Sequence, residues 1–262
     1  MPCVLALMFH GIDGPRARAA GYAADPHYSV EAGRFAALLD ALVASGHRVG
    51  AARDLLDMDD GLPQVWITFD DGDASNLEEA LPLLAARGLK ADFFINPARV
   101  GRPGFLDWAA VRRLAAAGMS LQSHGQTHTY FTHLAPAALR EELRVSKAQI
   151  EQATGMPVSL LAPPGGRVPR GLVPLARTLG YRAVLGSCPG VIRGEAPAGE
   201  QPLPRVAVTR HHTVDEVMRW AAGGQLALRR LRWRYRVLES AKALLGDARY
   251  ERWRARALGS GA

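Results

Sequence analysis

The chain has 262 residues, 48% of them hydrophobic, and a formal net charge of +7. This length and composition suffice for one α/β barrel with a sizeable core, and no second domain is required. No stretch is long and apolar enough to cross a bilayer, and the first strand follows the amino terminus without the pattern of a secretion signal. Cys3 and Cys188 allow at most one disulfide, which excludes the multiply bridged frame of a small secreted protein.

Apolar residues along the first 153 positions predict an alternation of strands and helices. Glycine follows two of the predicted helices, at Ser45-Gly46 and Ala117-Gly118, and glycine accepts the terminal left-handed conformation at little steric cost. Alternation of this kind predicts parallel strands. The predicted segments are Val4 to Phe9, Val30 to Ser45, Val65 to Phe69, Ala74 to Ala86, Ala91 to Ile95, Asp107 to Ala117, Met119 to Gln122 and Pro136 to Ala153.

Two adjacent carboxylates, Asp70 and Asp71, directly follow the predicted strand that ends at Phe69. They therefore lie at the carboxyl edge of the sheet, where parallel α/β proteins usually place their chemistry. Because consecutive side chains at a strand end diverge, one aspartate can bind a cation while the other reaches toward a bound water. Taken alone, Asp-Asp-Gly is more often a turn or a helix cap.

Two histidines, His124 and His128, follow within the segment Ser-His-Gly-Gln-Thr-His. A spacing of four predicts that both rings lie on one side of a helical turn, and imidazole with carboxylate is a ligand set that suits zinc. Three protein ligands leave a fourth position open, as in catalytic zinc sites. A histidine pair alone is often a surface feature, but in this order after Asp70-Asp71 it predicts a shared metal site.

These two motifs resemble the first two signatures of the polysaccharide deacetylases, the NodB-homology group of carbohydrate esterases. The resemblance covers about residues 3 to 222 and implies a distorted, incomplete (β/α) barrel with its active groove at the strand ends. It implies a catalytic domain over residues 1–222, which leaves 223–262 as a basic helical tail. The other matching segments are Met8-Phe9-His10-Gly11, Ala91-Asp92-Phe93-Phe94-Ile95, Ser146-Lys147, Ala162-Pro163-Pro164-Gly165-Gly166 and Gly180-Tyr181.

The resemblance also implies roles for the motif residues. Asp71, His124 and His128 would bind a divalent metal, with zinc expected and cobalt or nickel as alternatives. Asp70 would be the catalytic base that takes a proton from water attacking the acetamide of an N-acetylated sugar.

Substrate contacts are expected from two other segments. The family holds the tetrahedral oxyanion with the metal and a main-chain N–H of its third motif, which here falls near Pro164 and Gly165. The same Pro-Pro-Gly-Gly sequence would form a rigid turn in any case. His10, at the end of the first predicted strand, is expected to contact substrate or to orient a neighbour.

The chain departs from the family pattern at three places. Ala162 stands where many members carry an arginine that braces the catalytic aspartate, and Arg167 or Arg205 could replace it. The fourth motif has no clear counterpart in residues 187–190, and the Leu-x-His of the fifth motif is not literally present.

A proton donor is expected after the last predicted strand, Arg205-Val206-Ala207-Val208. His211 and His212 follow it where the fifth motif would fall, and one of them is expected to protonate the departing amine, since histidine has a suitable pKa. The alternative is a pair of exposed loop histidines.

We therefore expect a metal-dependent hydrolase that removes N-acetyl groups from an amino sugar or glycan precursor. A related amidase or deformylase, or an inactive sugar-binding module, are the alternatives. A reducing cytoplasm is the simplest setting for so few cysteines, and it favours a nucleotide-linked or lipid-linked sugar over a finished wall polymer.

The charge is concentrated in the tail, since Leu226 to Leu258 carries ten Lys or Arg against three Asp or Glu. Leucines and Tyr235 recur there at helical spacing while arginines fall on another side, which predicts an amphipathic helix. Such a helix could dock on the barrel, bind anionic lipid through its arginines and Trp233, or contact a protein. We expect no nucleic-acid partner, because the tail lacks a recognised reading motif.

Overall fold

Parallel strands form the frame of the molecule, and ten strands lie among the residues that the structure describes. The computed structural model describes residues 3–23, 25–56, 62–193 and 199–245, with side chains up to residue 237. The strands are β1 (Val4–Phe9), β2 (Ile12–Asp13), β3 (Val30–Glu31), β4 (Arg48–Gly50), β5 (Gln64–Phe69), β6 (Asp92–Ile95), β7 (Ser120–Ser123), β8 (Leu160–Leu161), β9 (Ala183–Val184) and β10 (Val206–Ala207).

The main sheet curls into a distorted, incomplete barrel, which confirms the predicted fold class. Its strand order is β10-β1-β5-β6-β7-β8-β9, with β4 beside the first half of β5, and every one of these pairs is parallel. The two ends of this order meet only through a bridge between Leu185 and Leu203. All carboxyl ends of the parallel strands therefore face one rim, where the chemical groups are expected.

Helices cover the outside of the sheet and follow the predicted alternation. Those of the described residues are α1 (Pro15–Ala19), α2 (Ala32–Ala44), α3 (Ala52–Leu55), α4 (Leu81–Ala85), α5 (Trp108–Ala116), α6 (Pro136–Thr154), α7 (Leu172–Thr178), α8 (Val214–Ala221) and α9 (Gln225–Leu245).

The predicted helix from Val30 begins later than expected, because Val30 and Glu31 form β3 and the Glu31 carboxylate then caps α2 by accepting bonds from Gly33 N and Arg34 N. The predicted glycine stops are present, since Gly46 and Gly118 have φ values of +75° and +78°. Between Ala74 and Ala86 the chain first makes a π-helical segment, Asn76–Ala80, before α4.

Burial on both faces of the strands explains their nearly continuous apolar sequence. In β5, Val65, Ile67 and Phe69 pack into the core between sheet and helices, whereas Trp66 packs into a second core inside the barrel. Each such side chain contributes about 1.5–3 kcal/mol of burial free energy. The barrel interior is therefore closed by side chains below the rim.

The tail forms α9, and its inner residues Leu228 and Leu231 pack against the core, as the amphipathic pattern predicts. Tyr250 and Trp253, two tail aromatics that like Trp233 would favour a lipid interface, lie outside the described residues, and the proposed domain boundary at residue 222 stays a prediction. Within the described part of the chain, no helix has the length and apolarity needed to span a membrane. Cys3 and Cys188 are both free thiols.

Candidate metal centre and catalytic carboxylate

The two aspartates after β5 have different backbone conformations and different neighbours. Asp70 continues the pairing with β1, since its N–H donates to Phe9 O at 2.9 Å, and its side chain is buried. Asp71 has a φ of +72°, a left-handed conformation that residues other than glycine seldom adopt. Such strain persists where the surrounding structure enforces it, often at functional sites.

Asp70 is held by a fully buried arginine, Arg205, which directly precedes the last strand of the sheet. Arg205 Nη1 and Nη2 donate to the two carboxylate oxygens of Asp70 at 2.7 and 2.8 Å. The same guanidinium donates to Thr68 Oγ1 and to Gly186 O, and it lies over the ring of Phe94. Four of the five N–H groups of the guanidinium thus have acceptors inside the barrel, and the two-pronged contact fixes the orientation of Asp70.

Arg205 is therefore the member of the predicted pair that braces Asp70. Arg167 lies elsewhere, over the ring of Tyr130 at 5.5 Å. Ala162, the position where many family members carry the bracing arginine, is buried in the barrel interior. The bracing guanidinium therefore comes from a different position of the chain.

The ion pair decides the charge state of Asp70. Burial would raise the pKa of this carboxyl, but the charge and hydrogen bonds of Arg205, together with the nearby His124 and His10, outweigh burial, so the pKa lies below its usual value. Asp70 is consequently an ionised carboxylate across the neutral range, as a proton acceptor must be.

Asp71, His124 and His128 meet at one point on the rim. Asp71 Oδ1 lies 3.4 Å from His124 Nε2 and 2.8 Å from His128 Nε2. The three ligand atoms all lie within 4.8 Å of one another. One carboxylate and two imidazoles at this separation match the first coordination shell of a divalent transition metal.

The expected helical turn between the two histidines is wrong. Residues 124–128 form an irregular loop after β7, in which Gly125 and His128 have φ values of +76° and +66°. A left-handed residue at each place is incompatible with a helix. The loop instead bends back on itself, and this bend brings the two rings to 5.2 Å between centroids.

The polar atoms of this cluster fit a bound cation. Asp71 Oδ1 is buried and accepts no hydrogen bond of acceptable geometry, although two ring nitrogens lie beside it. Nδ1 of His124 lies 2.8 Å from the carbonyl oxygen of Ala162, so Nδ1 carries the proton and the Nε2 lone pair faces Asp71. Burial raises the pKa of Asp71, but its contacts with both histidines lower it well below the usual value. The geometry leaves Asp71 Oδ1 without a well-formed hydrogen bond, and a metal ion would satisfy this ionised oxygen.

Arg99 places a positive charge at the cluster of Asp71, His124 and His128. It follows β6, in the 3-10 turn Pro97–Arg99, and its Nη1 lies 3.4 Å from Asp71 Oδ1. Its Nη2 lies 2.8 Å from Nδ1 of His128. Since a guanidinium can only donate, Nδ1 of His128 accepts, and the proton of the neutral ring lies on Nε2. Arg99 thus contacts two of the three candidate ligand residues, Asp71 and His128.

Two further side chains hold the histidine loop in place. The Asn96 amide donates to the carbonyl oxygens of His124 and Gly125. Glu142 of α6, which is 8% exposed, accepts from Thr127 N at 2.6 Å. These bonds satisfy backbone groups of an irregular segment and so stabilise its bent conformation.

Sequence reasoning missed these three supporting residues. Asn96 and Arg99 carry a signal that could have revealed them, because they directly follow a strand at the same rim as Asp70. Glu142 carries a weaker one, since it is the charged residue on the otherwise apolar or small buried face of its helix.

The predicted substrate contacts lie on both sides of the cluster. His10 follows β1, the neighbour of β5, and its charge acts on both Asp70 and Asp71. Its Nδ1 is buried without a hydrogen-bond partner among the described residues, and its ring lies against Tyr28.

The third-motif turn lies on the other side. Pro164 is buried and Gly165 is exposed, with a φ of +60°. A side chain at Gly165 would collide with Tyr130, because a Cβ there would lie 2.6 Å from the ring. The close approach explains why glycine is needed in this turn.

The predicted proton donors make contacts away from the aspartates. His212 packs edge-on against Trp220 of α8, and its Nδ1 accepts from Thr209 N at 3.1 Å. Burial lowers the pKa of His212. His211 is exposed. Among the contacts of the described residues, none joins either histidine to Asp70 or Asp71, and their role stays a prediction.

A family model described as polysaccharide deacetylase matches residues 58–184, the segment with both aspartates, both histidines and the third-motif turn. Over these residues the chain is similar to the polysaccharide deacetylase family. This confirms the resemblance seen in the motifs.

Two curated deacetylases match parts of the chain. It is 28% identical over 145 residues to YxkH of Bacillus subtilis, covering 55% of this chain and 51% of that protein. It is 30% identical over 124 residues to a peptidoglycan-N-acetylglucosamine deacetylase of Bacillus cereus, covering 47% and 56%. The chain thus spans about half the length of these curated relatives.

The fold is also found in a solved deacetylase. The crystal structure of a polysaccharide deacetylase from Bacillus cereus matches with a TM-score of 0.73 at 23% identity, covering 84% of this chain and 69% of that chain. At this identity the likeness shows the shared fold.

Proposed function

We propose that the chain is a metal-dependent hydrolase that removes N-acetyl groups from an amino sugar or a glycan precursor. One observation carries the proposal: an ionised, arginine-braced Asp70 lies directly beside a cluster of Asp71, His124 and His128 that is suited to a cation. The match of residues 58–184 to the polysaccharide deacetylase model supports the same activity.

Asp71, His124 and His128 would hold the metal, and zinc suits their mixture of one oxygen and two nitrogens. When bound, a divalent ion acts as a Lewis acid and lowers the pKa of its water ligand to about 7 in favourable zinc sites. If Nε2 of His128 binds the metal, the ring proton must lie on Nδ1, so Nδ1 can no longer accept from Arg99, and the metal also competes with this guanidinium for Asp71.

Asp70 would take the proton from the attacking water. Arg205 binds both of its oxygens, yet each carboxylate oxygen has a second lone pair that can accept a proton. The brace keeps the carboxylate ionised and oriented, so no rearrangement is needed when the proton moves. Asp70 therefore acts as a general base and Asp71 as a ligand, although the two are neighbours in sequence.

The departing amine needs a proton, and His10 is better placed to provide one than the predicted His211 and His212. His10 is next to the aspartates across the β1–β5 pair, and its buried Nδ1 has no partner among the described residues. We propose that His10 contacts the reacting acetamide or the amine that leaves it. The main chain around Pro164 and Gly165 would bind the developing oxyanion from the opposite side.

The substrate we propose is an N-acetylated amino sugar, the group named for the peptidoglycan-N-acetylglucosamine deacetylase of Bacillus cereus. A nucleotide-linked or lipid-linked sugar in a reducing compartment fits the two free cysteines better than a finished wall polymer.

The test measures acetate released by the zinc-loaded and the metal-stripped protein from free, nucleotide-linked, lipid-linked and polymeric N-acetyl sugars. We expect release from at least one of these substrates with the loaded protein only. Formate released from N-formyl analogues without acetate would indicate the deformylase alternative. Sugar binding without any product would indicate an inactive module, and either result would overturn the proposal.

A further inference from the structure

The last helix, α9, has two different faces in the residues whose side chains are described. On its inner face, Leu228 is only 5% exposed and Leu231 packs against the core. Arg232 Nε donates to Pro189 O at 2.7 Å, and the hydroxyl of Tyr235 lies beside Gly166. The helix is therefore fixed to the barrel next to the third-motif turn.

The outer face carries an apolar stripe that nothing in the described part of the chain covers. Leu226, Trp233 and Val237 are 74%, 67% and 47% exposed. Their spacing of seven and four residues places them one above another on the same side of a helix. Trp233 is the one aromatic residue among the large exposed hydrophobic side chains of the described residues. The members of this set outside the stripe lie scattered over the surface.

Arginines border this stripe on both sides. At 100° per residue, Arg229 and Arg236 fall on one flank of Trp233, and Arg230 and Arg234 fall on the other. All four are exposed, and residues 225–237 contain no Asp or Glu. A solvated basic face would account for the arginines but not for a tryptophan in their midst. An apolar stripe flanked by arginine is the arrangement of a helix that lies in a lipid interface.

We propose that the outer face of α9 docks on the surface of a bilayer that contains anionic lipid. The helix would lie in the plane of the surface, with Trp233 among the lipid head groups and the arginines on lipid phosphates. Charge complementarity favours this partner, because the face has four cations and no compensating acid. A surface-bound helix also agrees with the absence of a membrane-spanning helix among the described residues.

Docking would bring the rim of the barrel to the lipid surface. Through Tyr235 and Arg232 the helix contacts the loops of Gly166 and Pro189, and Gly166 adjoins the exposed Gly165 of the candidate oxyanion turn. This part of the inference rests on the proposed deacetylase function: the substrate would be an amino sugar presented on a lipid. The docking itself does not depend on catalysis and can be measured without it.

The test is sedimentation of the full chain with vesicles of phosphatidylcholine alone or mixed with phosphatidylglycerol. We expect sedimentation with the mixed vesicles at low salt, little with phosphatidylcholine alone, and loss of binding at high salt. Asp70→Asn should sediment as the parent does, which separates failure of docking from failure of the proposed chemistry.

Two variants locate the surface. Trp233→Ser and the triple variant Arg229→Gln/Arg230→Gln/Arg236→Gln should each reduce binding by about tenfold or more, since near the surface each arginine adds attraction to anionic lipid. The matched control Arg112→Gln/Arg113→Gln/Arg140→Gln removes the same charge from exposed positions of α5 and α6 and should bind as the parent does. Circular dichroism checks that all variants fold, and Trp233→Ser should keep its activity on soluble sugars.

Three results would overturn the proposal. They are a lack of sedimentation at low salt, equal sedimentation with both kinds of vesicle, and equal losses in the α9 and control variants. Tighter binding to duplex DNA than to the mixed vesicles, unaffected by Trp233→Ser, would also overturn it, because it would assign the arginines to a different partner.

Discussion

Arg205 and Asp70 are 135 positions apart in the chain, yet they form a two-pronged ion pair inside the barrel with both N–O distances below 3 Å. Neither side chain is more than 4% exposed. The pair joins the last strand of the sheet to the strand that carries the site. It is at once a structural crosslink and the feature that sets the charge of the proposed base.

Removal of the arginine alone should destabilise the protein strongly. Arg205→Met leaves the Asp70 carboxylate buried without its counter-charge, and breaking a buried pair in this way costs about 3–5 kcal/mol. Urea denaturation of parent and variant measures the loss. In the double variant Asp70→Asn/Arg205→Met, part of the loss should be recovered because no charge is left unpaired. Equal losses in the single and double variants would show that the charge of Asp70 is not the cause.

Asp70→Asn should separate catalysis from metal binding. An amide cannot accept the proton of water, so turnover should fall by about 10²–10⁴-fold, the usual contribution of a general base. Zinc content after dialysis should be unchanged, because Asp71 and the histidines remain. Asp40→Asn, at a surface ion pair with Arg87, is the matched control and should retain full turnover. Normal turnover of Asp70→Asn would mean that another group is the base.

The histidine variants should lose zinc affinity, in contrast to Asp70→Asn, which should lose turnover and keep its zinc. His124→Ala or His128→Ala removes one of three candidate ligands, so zinc affinity should fall by more than the roughly 10–100-fold that loss of an outer-shell partner costs. Competition with a chromophoric chelator measures this affinity. His47→Ala is the control, since His47 precedes β4 at the opposite edge of the sheet and its ring contacts Ser45 and Ala221. Unchanged zinc affinity in both variants would show that His124 and His128 do not bind the metal.

Arg99→Gln should increase zinc affinity. The guanidinium neutralises Asp71 and donates to His128 Nδ1, and both contacts oppose a metal on those residues. For a partly exposed charge pair worth about 1 kcal/mol, the gain is roughly fivefold. Arg102→Gln, an exposed arginine of the same loop, should leave the affinity unchanged. Weaker binding by Arg99→Gln would show instead that Arg99 holds His128 in its binding position.

Asp92 should make stability depend on pH between about 4 and 6. Burial raises its pKa from 3.8 to about 6, although the carboxylate accepts bonds from Ala52 N and Arg53 N. In this range the folded state holds a proton that the unfolded state has released, so stability contributed by this group falls as pH rises. Across this pH range the contribution of Asp92 to the free energy of unfolding should change by about 3 kcal/mol. The denaturation midpoint of Asp92→Asn should therefore change less between pH 4 and 6 than that of the parent. Identical pH dependence of the midpoint in parent and variant would contradict the role of Asp92.

Much of the frame was predictable, because buried strands and amphipathic helices have distinct periodicities and the motif residues directly follow strands. The bend between His124 and His128 was not, since spacing alone cannot show that Gly125 and His128 adopt left-handed conformations. The sequence does not distinguish Arg205 from Arg167 as the brace for a similar reason. The choice depends on how the sheet brings the segment before β10 to the end of β5, and no local pattern encodes that distance.

The position of Arg205 also has a consequence for the order in which the protein is made. A nascent chain of 162 residues already contains all three candidate metal ligands, the Glu142 and Ala162 groups that position the histidines, and the proposed base, but not the Arg205 that supplies the counter-charge of that base. Until the ribosome has released β10 and it has docked beside β1, Asp70 lacks this partner. The growing polypeptide should therefore be able to capture an ion before it can use one, and hydrolytic competence should arise only at the end of synthesis.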